Sequence, residues 1–405
     1  MEMEKEAGQR NKNPCLAKSR EYVSIELIDE GFRDCRKHKR STMGYAEYCM
    51  DYLRNNRQLH IELNGMTYKS GQSTAFLVTK PVLREVICSL FRDRIVHHIL
   101  KIKFFGIFEQ EMIDDAYACR VGKGAEYGIR RLREKIATVS TNYTREAYVL
   151  TGDLRGFFMS INRQLTYRVV EDTIRRRYQG DDIEFWLWLW RMVILTPPEE
   201  NCVRRGNQKL WDALPAHKSI FKSRGRGLAI GNLPSQMLEN LLLSSFDKWV
   251  MERLKSLGMS EKEFGYGRYV DDFYIVCTNK AILLKVYSEA RIYLKIHLDL
   301  TIHPNKFYLQ SVRKGVRFCG AIIKPGRVYA RNRTIHHLFE AIKEWNADPS
   351  PETKSYVQRI NSYFGLLCQR NSYAIRWKAW KTISHKQEIY CVNMRKIRIK
   401  TKYRK

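Results

Sequence analysis

The sequence predicts an α+β fold, and three observations carry the prediction. Residues 147–154, AYVLTGDL, form the apolar run of a buried strand that ends in an acid. Residues 266–277, YGRYVDDFYIVC, place aromatic and β-branched residues on both sides of two adjacent aspartates, the pattern of a β-hairpin. Around these segments lie long stretches with apolar residues at helical spacing.

Taken in order, residues 1–20 are polar and read as disordered, and residues 21–63 read as helical through Tyr45, Tyr48, Cys49, Tyr52 and Leu53. Residues 67–86, with Gly71, Pro81 and β-branched side chains, predict short strands and turns, and FRDRIVHHILKIKFFGIF (91–108) predicts a helix. The 147–154 strand must end near Gly156. Helices follow at 163–178 and 183–195, then a polar segment, 197–226, read as a long loop with short turns. A long helix is predicted at 234–257, the hairpin at 265–277, a helix near 280–295, and strands at 307–310 and 316–328. Residues 332–405 read as helical and basic.

The 405 residues carry 72 Lys and Arg against 43 Asp and Glu, a formal charge of +29, which is too large for a neutral surface and favours an anionic partner. Hydrophobic residues make up 44% and aromatics 12%, enough for two or three cores, so global disorder is excluded. The basic residues are spread along the chain without the single amphipathic basic helix of a membrane-surface binder, so nucleic acid is the expected partner. The most apolar stretch, IEFWLWLWRMVIL (183–195), contains Glu184 and Arg191 and falls short of the roughly 20 apolar residues of a membrane span. The N-terminus lacks the apolar centre of a signal peptide. Ten cysteines occur singly, with no C-x-x-C pair, suggesting neither a zinc site nor a disulfide frame, and a cytoplasmic location is expected.

An Asp pair at a turn is ordinary turn chemistry on its own. Asp153 changes that reading, because an acid at the end of an apolar strand has no packing role. With the strand beside the hairpin, Asp153 and Asp271 converge, with Asp272 adjacent. Carboxylates about 4 Å apart repel by roughly 4 kcal/mol per pair at an effective dielectric of about 20, so they call for protons or a divalent metal. Oxygen-only ligands favour Mg²⁺, and two such ions about 3.5–4 Å apart clamp the attacking and leaving oxygens of a phosphoryl transfer.

These residues resemble motifs A and C of the reverse transcriptase palm. Lys80 and Arg84, in TKPVLREV, resemble the fingers residues that hold the incoming triphosphate, although Glu85 replaces the usual proline. FRDRIVHH and AYACRVGKG (116–124) resemble the next two blocks of bacterial and group II intron enzymes, with His97 and His98 read equally as helix-packing residues or ligands. GRGLAIGNLPSQ (225–236) departs from the usual Gln-Gly and Ser-Pro of motif B and is similar to the reverse transcriptases of diversity-generating retroelements, as are WDALPAHKSIF (211–221) and INSYFGLLCQRNSYAIR (360–376). The resemblance covers about residues 40–380.

It implies a right-hand polymerase: an N-terminal helical extension (1–62), fingers (63–146), a palm with an antiparallel sheet and inserted helices and loop at 163–226 (147–330), and a basic helical thumb and tail (331–405). It implies that Asp153 and Asp271 chelate two Mg²⁺ with Asp272 in support, that Phe158 is the steric gate against a 2′ hydroxyl, and that Lys306 in HPNKF donates a proton to leaving pyrophosphate. The alternative readings are a core Phe158 and a surface Lys306. Ile230, Gly231 and Gln236 join Lys80, Arg84 and Phe158 in the substrate pocket. An isoleucine at 230 offers shape where a glutamine offers a hydrogen bond worth about 0.5–3 kcal/mol, so low fidelity follows. The implied activity is error-prone, adenine-mutagenised copying of retroelement RNA into cDNA. Its partners are a structured template RNA, the RNA/DNA hybrid, dNTPs and a small basic pentameric accessory protein, in a bacterial or phage setting. The rival readings are a defence-type bacterial reverse transcriptase and an RNA-binding maturase without polymerase activity; no endonuclease segment is expected after the thumb. Of the aromatics Trp345, Tyr356, Tyr363, Tyr373, Trp377 and Trp380, most are assigned to packing.

Overall fold

A computed structural model describes residues 20–401 except 38, 80, 81, 224 and 350. The N-terminal region forms α1 (Ile25–Cys35), α2 (Met43–Met50) and α3 (Tyr52–Asn64), followed by the hairpin β1 (Ser73–Val78) and β2 (Arg84–Cys88) and the helices α4 (Phe91–Glu109) and α5 (Ala125–Val139). Strand β3 (Tyr148–Asp153) leads into the short α6 (Phe157–Ser160) and then α7 (Arg163–Arg177) and α8 (Ile183–Leu195). After β4 (Cys202–Arg204), α9 (Gln208–Ala213) and two 3₁₀ turns come α10 (Leu233–Ser256), β5 (Phe264–Tyr269), β6 (Asp272–Cys277) and α11 (Lys280–Leu298). The chain continues through β7 (Tyr308–Ser311), β8 (Val316–Phe318), β9 (Ala321–Lys324) and β10 (Arg327–Ala330) to α12 (Asn332–Ala347), α13 (Thr353–Cys368), α14 (Tyr373–Thr382) and the hairpin β11 (Ile389–Val392) and β12 (Lys396–Ile399). The fold is a mixed one, with helices around mainly antiparallel sheets.

The central sheet has strand order β5-β6-β3-β7, all antiparallel. Successive strand side chains point to opposite faces, and both faces are covered. Phe273, Ile275 and Cys277 join the core built with α4, α8, α10 and α11, whereas Tyr274 and Val276 join a second core with Ile129, Leu132 and Ile136 of α5. This explains the near-continuous apolar runs in β3 and β6. A third core gathers α12, α13, α14 and the last hairpin around Trp345 and Phe364. A fourth, smaller one joins β1 and β2 to the 202–221 segment.

Three expectations change. Helix α5 went unread although Ile129, Leu132 and Ile136 stand at helical spacing and are buried. The 197–226 segment is more ordered than a loop: β4 adds to β1 in parallel, and Trp211 of α9 is buried. The C-terminal region is not helical throughout, because residues 389–399 pair as a hairpin around a turn in which Asn393 and Met394 both take positive φ. Alternation of Ile389, Cys391, Ile397 and Ile399 toward the third core favours strands there. Among the thumb aromatics, Trp345, Tyr356, Tyr363 and Trp380 pack. Tyr373 and Trp377 are 63% and 44% exposed, so four of the six pack, in keeping with the assignment of most of them to packing.

Among the described residues no helix is long and apolar enough to cross a membrane. The described cysteines are all free. His98 bonds Asp34 through Nδ1 at 2.7 Å, and His97 is buried in α4, so both act as packing residues in the fold. The expected disordered start and the last four residues of the basic tail lie outside the described residues.

Candidate active site

Asp153 is the last residue of β3 and the Cα partner of Asp272, the first residue of β6. Directly opposed residues of an antiparallel pair project to the same face, so register alone brings together two carboxylates that lie far apart in the sequence. Asp271 sits beside them at the tip of the β5–β6 hairpin, where Tyr269 pairs with Asp272 and only Val270 and Asp271 form the turn. Val270 has φ +57°, a conformation that costs a β-branched residue on the order of 1–3 kcal/mol. Strain of this kind persists only where the surroundings enforce it.

Arg268 enforces it. The guanidinium donates to the Val270 carbonyl oxygen at 2.8 Å and clamps Asp247 of α10, with Nε to Oδ1 at 2.8 Å and Nη2 to Oδ2 at 2.7 Å. Tyr266 donates its hydroxyl to the same Asp247 at 2.6 Å. The AYACR segment supports the hairpin from the other edge: Tyr117 N donates to Arg268 O, and Arg268 N to Asp115 O, both at 2.9 Å.

Lys306, in the turn before β7, donates from Nζ to both carboxylate oxygens of Asp153 at 2.8 Å. The ammonium is therefore paired with Asp153 itself, one of the three predicted site carboxylates. Burial, and then the Asp153 charge, pushes the Asp271 carboxyl up from 3.8 to about 6 against the pull of Lys306 and Arg268. Asp272 is raised as well, by burial and by its two acidic neighbours, although its side chain keeps an exposed edge toward solvent that tempers the desolvation. Three mutually repelling carboxylates offering only oxygen, relieved in part by one ammonium, are a donor set suited to a hard divalent cation. Their fit is one of donor chemistry and not of finished geometry: with Lys306 on both Asp153 oxygens, the described residues hold no group of three or more His, Cys, Asp or Glu placed to bind a metal.

The substrate-pocket residues divide. Phe158 is half-buried, its carbonyl oxygen accepts from Leu228 N at 2.8 Å, and its ring joins the fourth core. Ile230 packs on the same core, and its carbonyl oxygen accepts from Ile87 N of β2 at 2.8 Å. Gly231 follows at φ +111°, where an added Cβ would lie 2.7 Å from the Ile87 carbonyl oxygen, so glycine is required for this loop to dock on β2. Arg84 is exposed on β2, and Gln236 is exposed in the first turn of α10; among the described residues neither is drawn to the carboxylates. Lys80 lies outside the described residues.

Sequence reasoning missed Arg268 and Glu239. Arg268 stands among aromatics inside a strand, and Asp247 interrupts the apolar run LLLSSF of α10, a matched pair of buried charges that could have been read. Glu239 of α10 is 1% exposed. Both its oxygens lack a hydrogen-bond partner among the described residues, and burial pushes its carboxyl up from 4.5 to about 8.

No family model matches the chain. Protein YkfC of Escherichia coli strain K12 is 24% identical over an alignment of 280 residues that covers 62% of this chain and 66% of that protein, so the chain spans just under two thirds of the relative's length. Among solved structures, apo telomerase from Candida tropicalis is similar at a TM-score of 0.47 and 11% identity, covering 78% of this chain and 59% of that one. Telomerase from Candida albicans, in complex with a fragment of telomeric RNA, is similar at a TM-score of 0.45 and 12% identity, covering 79% and 58%.

Proposed function

We propose that the chain is an RNA-directed DNA polymerase whose active site is Asp153, Asp271 and Asp272. The observation that carries the reading is the register of β3 and β6, which opposes Asp153 to Asp272 with Asp271 in the adjoining turn. The residues that would hold two Mg²⁺ are Asp153 and Asp271, with Asp272 in support. Magnesium bound there supplies neutralisation of triphosphate charge and eases deprotonation of the primer 3′ hydroxyl.

The chain's own residues do the rest. Arg268 holds the strained hairpin tip so that Asp271 keeps its place beside Asp153. Phe158, with its carbonyl oxygen bonded to Leu228, holds the sugar pocket and excludes a 2′ hydroxyl. Lys306 carries positive charge at the edge of the site, next to the position of a leaving phosphate. Arg84, exposed on β2, and Lys80 receive the triphosphate, and Gln236, exposed in the first turn of α10, joins them on the strength of the sequence resemblance.

The finer role we infer is error-prone copying of a retroelement template RNA, with adenine as the miscopied base. Its support is the sequence GRGLAIGNLPSQ and the apolar setting of Ile230. The partners belonging to that role are a structured RNA, its RNA/DNA hybrid, dNTPs and a small basic pentameric accessory protein, the last resting on sequence resemblance alone.

Primer extension on an RNA template with dNTPs and Mg²⁺ tests the reading. Wild type should extend, and Asp271→Asn should abolish extension while RNA binding is largely kept. Extension by the variant at wild-type rate overturns the assignment.

A further inference from the structure

Residues 202–222 touch the elements that carry the predicted substrate residues at three places. First, the Glu85 carboxylate, on β2 beside Arg84, is 1% exposed and accepts hydrogen bonds from Ser219 Oγ at 2.9 Å and Ile220 N at 2.5 Å. Second, Gly156, between Asp153 and Phe158, lies at φ +55° against His217, whose carbonyl oxygen would overlap any Cβ there. Third, Phe158 and Ile230 rest on the apolar cluster to which this segment contributes Trp211, Leu214 and Ile220.

Glu85 is unusual among these contacts. Its hydrogen-bond donors in the described residues are a hydroxyl and a peptide N–H, both neutral, and burial together with the nearby Glu199 charge raises its carboxyl. A buried carboxylate without a cation is costly, and an apolar residue would cover the same surface at lower cost. What the acid adds is direction: two acceptor oxygens that fix one 3₁₀ turn against one strand. The same strand bonds the Ile230 carbonyl oxygen two residues further on, through Ile87 N at 2.8 Å. A shift of the turn against β2 is thus transmitted to Arg84, Ile230 and Phe158 together.

We propose that residues 202–222 form a wall of the nucleotide pocket and that Glu85 is the positioning residue that holds this wall, so that sugar and base selectivity depend on it. The inference rests on the polymerase reading above and adds the element that shapes its pocket.

Single-nucleotide extension by the full chain separates the two. Glu85→Ala leaves two buried donors unpaired and should raise the dNTP KM about 10-fold with kcat changed less than about 3-fold. It should also lower the preference for dNTP over rNTP several-fold. Glu85→Gln should restore most of the loss, since its amide oxygen accepts from Ile220 N while its NH₂ donates to the Ser219 hydroxyl. Ser219→Ala removes one donor and should move KM in the same direction by about 2–3-fold, a milder variant that keeps the test informative where Glu85→Ala folds poorly. Trypsin cleavage at the basic residues of 202–222 should accelerate in Glu85→Ala.

A wild type that extends, alongside variants with unchanged KM and unchanged sugar preference, overturns this inference and leaves the polymerase reading standing. A loss of kcat in Glu85→Ala that tracks the loss of folded protein, with the KM of Ser219→Ala unmoved, also overturns it. A wild type that extends nothing overturns both.

Discussion

Arg268 and Asp247 form an ion pair with 1% and 0% of their side chains exposed, and the same guanidinium bonds the carbonyl oxygen of Val270 at the hairpin tip. The turn that carries Asp271 is therefore fastened to α10 through a charge buried in the core. Removing one partner of a buried pair leaves the other uncompensated, at about 3–5 kcal/mol. Arg268→Ala and Asp247→Ala should each destabilise the protein by that order in chemical denaturation. Arg268→Lys should recover little, because an ammonium lacks the planar fork that meets both Asp247 oxygens and Val270. Near wild-type stability in Arg268→Ala would show that the pair is dispensable.

A divalent cation bound as proposed would compete with Lys306 for the Asp153 oxygens, which the ammonium reaches at 2.8 Å. In EDTA, Lys306→Met should lower stability by up to about 1 kcal/mol, the scale of a solvent-accessible pair. Adding Mg²⁺ should then raise the melting temperature more in the variant than in wild type, since no cation has to be displaced. Equal Mg²⁺ shifts in the two proteins would place the metal elsewhere.

Glu239 predicts a pH effect whose sign follows from linkage. Its folded-state carboxyl is raised to about 8 from 4.5, by burial first and by the Asp271 charge, with Arg268 opposing. The folded state therefore holds a proton that the unfolded state releases, and the contribution is present in full below about pH 4.5 and lost as pH rises to 8. Glu239→Gln has no such proton. Between pH 5 and 8 the stability of wild type relative to Glu239→Gln should fall steadily, measured by urea denaturation in EDTA. A pH-independent difference would mean that Glu239 finds a partner when ionised.

The strands that carry the three acids are legible in the sequence for a physical reason. β3 and β6 are buried on both faces, so their apolar runs are nearly unbroken and the acids at their ends stand out. Helices α4, α7, α8, α10 and α11 announce themselves by spacing and length, and each lies within a few residues of its expected bounds. Helix α5 is equally periodic, with Ile129, Leu132 and Ile136 on one buried face. The 202–222 segment could not be read, because its order comes from contacts distant in sequence: the Glu85 carboxylate, the apolar cluster, and pairing of β4 with β1. Glu85 illustrates the limit, since it shows in the sequence only as a departure from a usual proline, and its reason lies 134 positions away at Ser219.

Ile230 provides the most direct test of the fidelity argument, because its backbone and side chain have separate anchors. The carbonyl oxygen is held by Ile87 N at 2.8 Å, and Gly231 allows the loop its φ of +111°, so a side-chain change at 230 leaves the loop path in place. The side chain packs against the fourth core, where a Gln or Asn loses apolar burial of about 1–2 kcal/mol and introduces a polar end. Ile230→Leu serves as the control, keeping apolar contact at similar volume. In sequenced cDNA, Ile230→Gln and Ile230→Asn should change misincorporation opposite template adenine more than opposite other bases, by a few-fold to roughly 100-fold on the scale of one hydrogen bond. Ile230→Leu should keep the wild-type spectrum. If all three variants change every error class equally, the effect is loosened packing of the pocket floor, and Ile230 has no part in choosing the base.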